Sequence, residues 1–436
     1  MSIKKIAIVG GGTAGWLAAN HLGKALVNNP DISITLIESP DIPPIGVGEG
    51  TVPMIRKTLA SFGISETDFI QQCEVTFKQS IKFVNWRAKE KNQAAHAFHH
   101  LFAFPSPFGD DLTAAWCQQG GKAYADFVSS QHKVCQQGKA PKFITTPEYQ
   151  GEQGYAYHLN AAKFAQLLAK NAQEKFSVAY LSANVNQVEL TDDGAIAALD
   201  TDQAGRQAFD FYIDCSGFAS ILMAKALKVP FVDKSHQLLV NTALTVQVPS
   251  AADDAIPPYT IATAHQAGWI WDIALTNRRG VGFVYSNNHM SDAEATAKLD
   301  HYLGDKAAGL TYRKLPMKVG HGEKFWQKNC ISLGLAQGFL EPLEATSILL
   351  TDFAAGYLAK RFPHSKSELS LLAQRFNQVM TYAWQRVIDF IKLHYCLSDR
   401  RDSKFWLDNQ KRETIPESLQ QKLTLWQNFV PEKEDF

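Results

Sequence analysis

The sequence predicts an α/β fold: a Rossmann-type nucleotide-binding unit interleaved with a mixed-sheet domain and followed by C-terminal helices. Three observations lead there. Residues 6–38 run strand, glycine turn, helix, strand, acidic residue. Glycine-bearing strand ends follow Val9, Ile213 and Leu335, spread over the whole chain and not gathered in one compact unit. The chain has 436 residues, 45% of them hydrophobic, enough to bury a large core. At about 150 residues per unit, the length is that of roughly three domains.

Taken in order, residues 6–9 are a short apolar strand of the kind buried in a parallel sheet. Gly10, Gly12 and Gly15 form a GxGxxG turn, with Thr13 and Ala14 inside it, and residues 16–26 read as a helix. A second strand at 33–37 ends on Glu38. This order is the dinucleotide-binding fingerprint in its required context. Gly10 allows the tight turn, Gly12 lets backbone approach a pyrophosphate, and Gly15 lets the helix pack on the strand. The helix start offers N–H groups to phosphates, and Glu38 can accept from a ribose hydroxyl. Residues 39–49, SPDIPPIGVGE, are a Pro/Gly-rich connector, and on the residues alone FAD and NAD stay equally open.

Residues 76–86 alternate like one strand, with Thr76, Lys78, Ser80 and Lys82 on one face and Phe77, Ile81 and Phe83 on the other. Residues 88–150 read as an insertion rich in His, Gln, Gly and Pro, and 161–172 as a helix. Strands are expected at 209–213, before the DCSGF turn, and at 331–335. A helix is expected over 343–362 with Pro342 in its first turn, where a missing N–H costs nothing. Residues 371–395 are helical, and the tail from 399 reads as short helices on the outside.

Lysine plus arginine and aspartate plus glutamate number 43 each, a zero balance that gives no support to a nucleic-acid or polybasic membrane binder. No stretch reaches the roughly 18 apolar residues of a membrane span. The six cysteines are scattered without a CxxC pair, which disfavours a metal site or disulfide framework and suits a reducing cytoplasm.

Seven segments carry a family resemblance: GGGTAGW at 10–16, GVGEGTVP at 46–53, FKQSIKFVNWR at 77–87, YAYHLNAAKFA at 155–165, DCSGF at 214–218, GWIWDIAL at 268–275 and GFLEPLEATSI at 338–348. Together they resemble the flavin-dependent halogenases of the tryptophan halogenase family, over residues 1–410. The WxWxI box at Trp269, Trp271 and Ile273 and the PLEAT segment are the most specific. The resemblance implies an FAD-dependent monooxygenase-like fold. It implies that reduced FAD (FADH2) and O2 convert chloride or bromide to hypohalous acid, which passes through a tunnel to a lysine and halogenates an electron-rich aromatic ring. A separate flavin reductase is the implied partner, with no nucleic acid and no membrane; a homodimer stays open.

By resemblance Lys78 is the catalytic lysine, as a hydrogen-bond donor to hypohalous acid or as a haloamine. The pattern alone leaves Lys82 equally placed. Glu344 matches the catalytic glutamate, orienting the electrophile or taking the ring proton. Its bland reading is a first-turn acid that complements the helix dipole or joins a capping box. Glu341 reads as structural. The halide is expected at backbone N–H groups of Thr346 and Ser347, although Ala345-Thr346-Ser347 departs from the family's Ser-Thr-Gly run. Gly48, Glu49, Asp214 and Gly338 join the fingerprint residues as expected cofactor contacts. Trp269 and Trp271 are expected to wall the flavin and tunnel, with Ala274 where the family has proline. His100 and Phe102 are expected at the substrate ring, and Cys215 as a buried small residue. No metal is expected.

The expected division is an FAD-binding part over 1–87, an insertion at the substrate site over 88–150, FAD binding continued over 151–235, a substrate sheet with the WxWxI box over 236–330, an FAD and halide strand and helix over 331–362, and a C-terminal helical substrate region over 363–436. Free-tryptophan members continue further, so the end at Phe436 raises the expectation that free tryptophan is a poor substrate and an indole on another scaffold a better one. An aromatic monooxygenase and a non-catalytic flavin-binding relative are the competing readings. A plain NAD dehydrogenase is more distant.

Overall fold

The computed structural model describes residues 2–42, 48–88, 96–106, 110–121 and 123–436; the side chains of Gly48, Glu49 and Lys433 lie outside the description, as do most of the 39–49 connector and part of the 88–150 insertion. Strand Lys5–Val9 lies between Phe211–Asp214 and Ser33–Glu38, parallel to both. Cys330–Ser332 and Ala179–Ser182 extend this sheet on either side, and Trp326–Gln327 ends it antiparallel. The three glycine-bearing strand ends, far apart in sequence, are therefore adjacent along one edge. This neighbourhood is the Rossmann-type sheet that the glycine turn and strand order predict.

Helix Thr13–Leu26 packs against helices Ala161–Phe176 and Thr346–Lys360. Its buried Asn20 donates to the carbonyls of Trp16 and Leu168 at 2.8 and 2.9 Å and accepts from Asn171, so the polar group is satisfied inside an apolar contact. His21 and Thr58 both hydrogen-bond the Asp352 carboxylate at 2.7 Å.

The second sheet has seven strands, in the order Arg313–Pro316, Thr242–Pro249, Arg278–Tyr285, Gly268–Ala274, Thr260–His265, Ser80–Val84 and Ala97–Leu101. All pairings are antiparallel except Thr260–His265 with Ser80–Val84. A small sheet of Gly48–Gly50, Ala156–Asn160 and Thr76–Lys78 joins the two.

The expected single strand over 76–86 is therefore two strands in different sheets. Gln79 is the break: its N–H leaves the ladder for the Pro258 carbonyl at 2.8 Å, and its carbonyl accepts from Phe102 N–H. Lys78 and Lys82 consequently do not share one continuous face. Lys78 is buried, whereas Lys82 is half-exposed over the Tyr259 ring. A second correction concerns the late helix, which begins at Thr346 and not at 343. Pro342 and Glu344 lie in a preceding turn closed by Ala345 N–H to Pro342 O, and Ala345 takes a left-handed φ of 55°. Glu344 is thus neither in the helix's first turn nor in a capping box. The tail, too, is not merely external: Phe405 and Trp406 of helix Lys404–Asn409 are fully buried, with Trp406 edge-on to Trp86.

Glu66 pins the insertion to the rest. Its buried carboxylate accepts from Lys142 Nζ, Tyr149 N–H and the hydroxyls of Tyr155 and Tyr157, all at 2.6–2.7 Å. Burial pushes this carboxyl up, but Lys142 and the tyrosine hydrogen bonds overrule it and hold it below its ordinary range. A carboxyl depressed on folding stabilises the native state above its unfolded pKa and loses that contribution as pH falls through the folded value. We expect Glu66→Gln to destabilise the protein by about 3 kcal/mol near neutral pH, since it strands Lys142. The gap to the parent should narrow as the pH of a denaturant titration is lowered below about 4.5.

Candidate active site

The nucleotide end follows from close backbone approach. A Cβ on Gly15 would lie 1.9 Å from the Gly10 carbonyl, and one on Gly10, at φ +118°, would lie 2.1 Å from the Cys215 carbonyl. Glu38 reaches across this turn, because a Cβ on Gly11 would lie 2.1 Å from its carboxyl carbon. Gly12 differs from all of these: among the described residues nothing lies within 4 Å of its would-be Cβ. Helix Thr13–Leu26 has no side-chain cap and no acid in its first turn. Its N-terminal amides therefore face an open cradle suited to a dinucleotide phosphate. The residues present fit the phosphate and ribose of a dinucleotide such as FAD.

A cleft continues between Gly334–Leu340 and the start of helix Thr346–Lys360, lined by Gln337, Gly338, Thr346, Ser347, Thr351 and Trp384. This helix start also lacks a side-chain cap and a first-turn acid. Thr346 and Ser347 thus stand where amides can take an anion, Thr346 buried and Ser347 exposed. Asp214 spends its carboxylate on the next turn, accepting from Ser216, Ser220 and the amides of Leu222 and Met223. Gly48 and Glu49 pair with Asn160 and Leu159. Cys215 is buried, and burial drives its thiol far above the ordinary range.

Lys78 is 1% exposed. Its Nζ donates to the Thr51 carbonyl at 3.1 Å and lies 5.3 Å from the Phe102 ring centroid. Burial pushes its pKa down to about 8, against the opposing pull of Glu344. His158 nearby is held neutral by burial and by Lys78, with Nε2 2.8 Å from Thr260 Oγ1. Gly50 makes room for the ammonium, since a Cβ there would lie 3.2 Å from Nζ and 3.7 Å from Ala345 Cβ.

Glu344 is equally buried and lies between two histidines. His100 Nδ1 is 2.9 and 3.1 Å from its two oxygens, and His394 Nε2 is 2.9 Å from Oε1. Burial alone would push the carboxyl up, but His100 and His394 hold it well below the carboxylate range. His100 in turn is raised: burial lowers it, and Glu344 more than compensates. The His100 side chain remains 40% exposed, so the pair has an accessible side. His100 comes from strand Ala97–Leu101, and Phe102 immediately follows that strand. Lys78, Glu344, His100 and Phe102, each expected from the sequence, are therefore gathered in one place.

Trp269 and Trp271 are both buried on strand Gly268–Ala274, with ring centroids 6.3 Å apart. Trp271 lies across Gly282, whose Cβ would be 2.0 Å from the indole. Trp269 Nε1 donates to Glu341 Oε2 at 2.7 Å, and the Tyr395 hydroxyl donates to the same oxygen at 2.5 Å. Burial pushes the Glu341 carboxyl up to about 7. Glu341 is thus the anchor of a wall. Sequence reasoning missed His394, Gly50 and Tyr395. A lone histidine in a long helix carries no local signal, and only the fold brings it to Glu344.

The chain is similar to known proteins along nearly its whole length. The family profile described as tryptophan halogenase matches residues 5–436. The chain is 34% identical over 457 residues to the tryptophan 6-halogenase SttH of Streptomyces toxytricini, covering 99% of this chain and 85% of that protein. It is 33% identical to the tryptophan 7-halogenase RebH of Lentzea aerocolonigenes, covering 97% and 82%. The crystal structure of a tryptophan halogenase from Shewanella frigidimarina superposes with a TM-score of 0.96 at 41% identity, over 100% of this chain and 85% of that one. The chain belongs to the tryptophan halogenase family of flavin-dependent enzymes.

Proposed function

We propose that the protein is an FADH2- and O2-dependent halogenase that directs hypohalous acid through Lys78 onto an electron-rich, indole-type ring. The observation that carries this reading is a buried ammonium and a buried carboxylate, Lys78 and Glu344, sharing one pocket with His100 and Phe102. Bound FADH2, recharged by a separate reductase, supplies with O2 the oxidising power that converts chloride or bromide to hypohalous acid. The chain's own groups do the rest. Uncapped amides at Thr346 and Ser347 hold the halide. Trp269, anchored by Glu341, and Trp271 exclude water from the route.

The Lys78 ammonium donates to the oxygen of hypohalous acid and so makes the halogen more electrophilic. Glu344, held far below its ordinary range, is a weak base. Its fixed negative charge suits orientation of the electrophile and stabilisation of the cationic ring adduct. Phe102 and His100 offer flat surfaces to an indole. The tryptophan halogenase relatives support the same ring class.

With FAD, a reductase, NADH and bromide, Lys78→Ala should lower indole halogenation about 1000-fold, while hypohalous acid caught by a scavenger persists. Halogenation at the parent rate would overturn the assignment. Because the donor form of Lys78 is lost above its pKa of about 8, halogenation should decline as pH rises through that value. Hypohalous acid formation, followed separately, should not share the decline; a halogenation rate that rises there would favour the neutral amine. A panel of indole, tryptophan and an indole-bearing peptide, ranked by kcat/KM with product mass, identifies the scaffold. Turnover with NADH alone and no halide would mark a monooxygenase instead.

A further inference from the structure

Two imidazoles flank Glu344, and they are held very differently. His100 lies on a strand end with its side chain 40% exposed. His394, from helix Leu369–Cys396, is 12% exposed and gripped from several directions. Its Nδ1 is 2.8 Å from the Phe390 carbonyl one turn back. Its ring stacks on Phe83 at 5.0 Å and 28°, meets Trp86 edge-on at 6.2 Å, and meets Phe390 edge-on at 5.1 Å. Only Nε2 is left to act, and it faces Glu344 Oε1 at 2.9 Å.

Both ring nitrogens of His394 face oxygen acceptors. The Phe390 carbonyl thus holds the ring at Nδ1 while Nε2 is turned to Glu344. Glu344 itself needs an outside reference. It lies in an irregular turn ahead of left-handed Ala345, before the helix begins, so no ladder of backbone bonds fixes its direction.

We infer that His394 is a positioning residue for Glu344: clamped by Phe390, Phe83 and Trp86, its Nε2 fixes the direction in which the carboxylate faces the Lys78 pocket. This rests on the reading that Glu344 serves the halogenation step. His394 need touch neither substrate nor flavin, and its effect passes through the carboxylate. His100 also bonds the carboxylate but keeps an exposed side, whereas His394 meets it from within the packed interior.

The test uses the full-length holoenzyme with FAD, reductase, NADH, bromide and indole. His394→Gln can return an N–H to the Nε2 position, whereas His394→Asn reaches only the Nδ1 position. We expect His394→Asn to lower kcat about 30-fold with KM little changed, as a displaced reacting group does. His394→Gln should recover to within about threefold of the parent, on the same ground that the Nε2 donor is what counts. Scavenged hypohalous acid should stay at the parent level in both, so that the yield of halogenated indole per hypohalous acid falls with kcat. In a Glu344→Gln background, His394→Asn should cost nothing further. Should the Asn variant fail to bind FAD, His394→Phe, which keeps the stack on Phe83 but lacks both ring donors, takes its place with the same expectation. Equal losses for Asn and Gln, full additivity with Glu344→Gln, or a parent-like His394→Asn beside an inactive Glu344→Gln would overturn the inference alone. Parent-like activity of Glu344→Gln would instead remove the reading beneath it.

Discussion

A carboxylate and an ammonium buried in one pocket set the terms for much of this molecule. Neither Glu344 nor Lys78 can be taken out of water without partners, because the desolvation cost of each charge is several kcal/mol. The partners come from distant parts of the chain. His100 stands on the edge strand of the seven-stranded sheet, His394 on the long C-terminal helix, and Thr51 beside the small linking sheet. The site therefore exists only when both sheets and the last helices are docked. Stability and chemistry depend on the same contacts.

A second constraint is backbone proximity. The glycine turn after Lys5–Val9 is tight because neighbouring carbonyls, of Cys215 and of Gly10 itself, leave no volume for side chains. The same edge is open at Gly12, and that asymmetry creates the cradle. The wall at Trp269 is built by similar means. Glu341, Tyr395 and Gly282 are chosen for what they allow the indoles to do, by anchoring Trp269 or by vacating the space that Trp271 fills.

Much of the nucleotide end was legible in the sequence. Its groups are close in the chain, and each glycine has a local steric reason. Residues 76–86 were misread as one strand because alternation is blind to where a ladder ends. Gln79 leaves the ladder by bonding to Pro258, a residue about 180 positions away. The late helix was misplaced by three residues for a similar reason. Pro342 and Glu344 have good helix-start chemistry, yet the left-handed Ala345 delays the start and leaves Glu344 free to meet two histidines.

The sequence by itself determined the nucleotide-binding fingerprint, the interleaving of strand ends and, through resemblance, the family and the candidates Lys78 and Glu344. These rest on short-range spacing and on motifs whose residues carry their own chemistry. The burial of Lys78 while Lys82 stays half-exposed, the pairing of Glu344 with His394 and the anchoring of Trp269 by Glu341 were decided only by tertiary structure. Each depends on which side chain is removed from water and what it then meets. Burial and long-range partnership are properties of packing, and no window of neighbouring residues contains them.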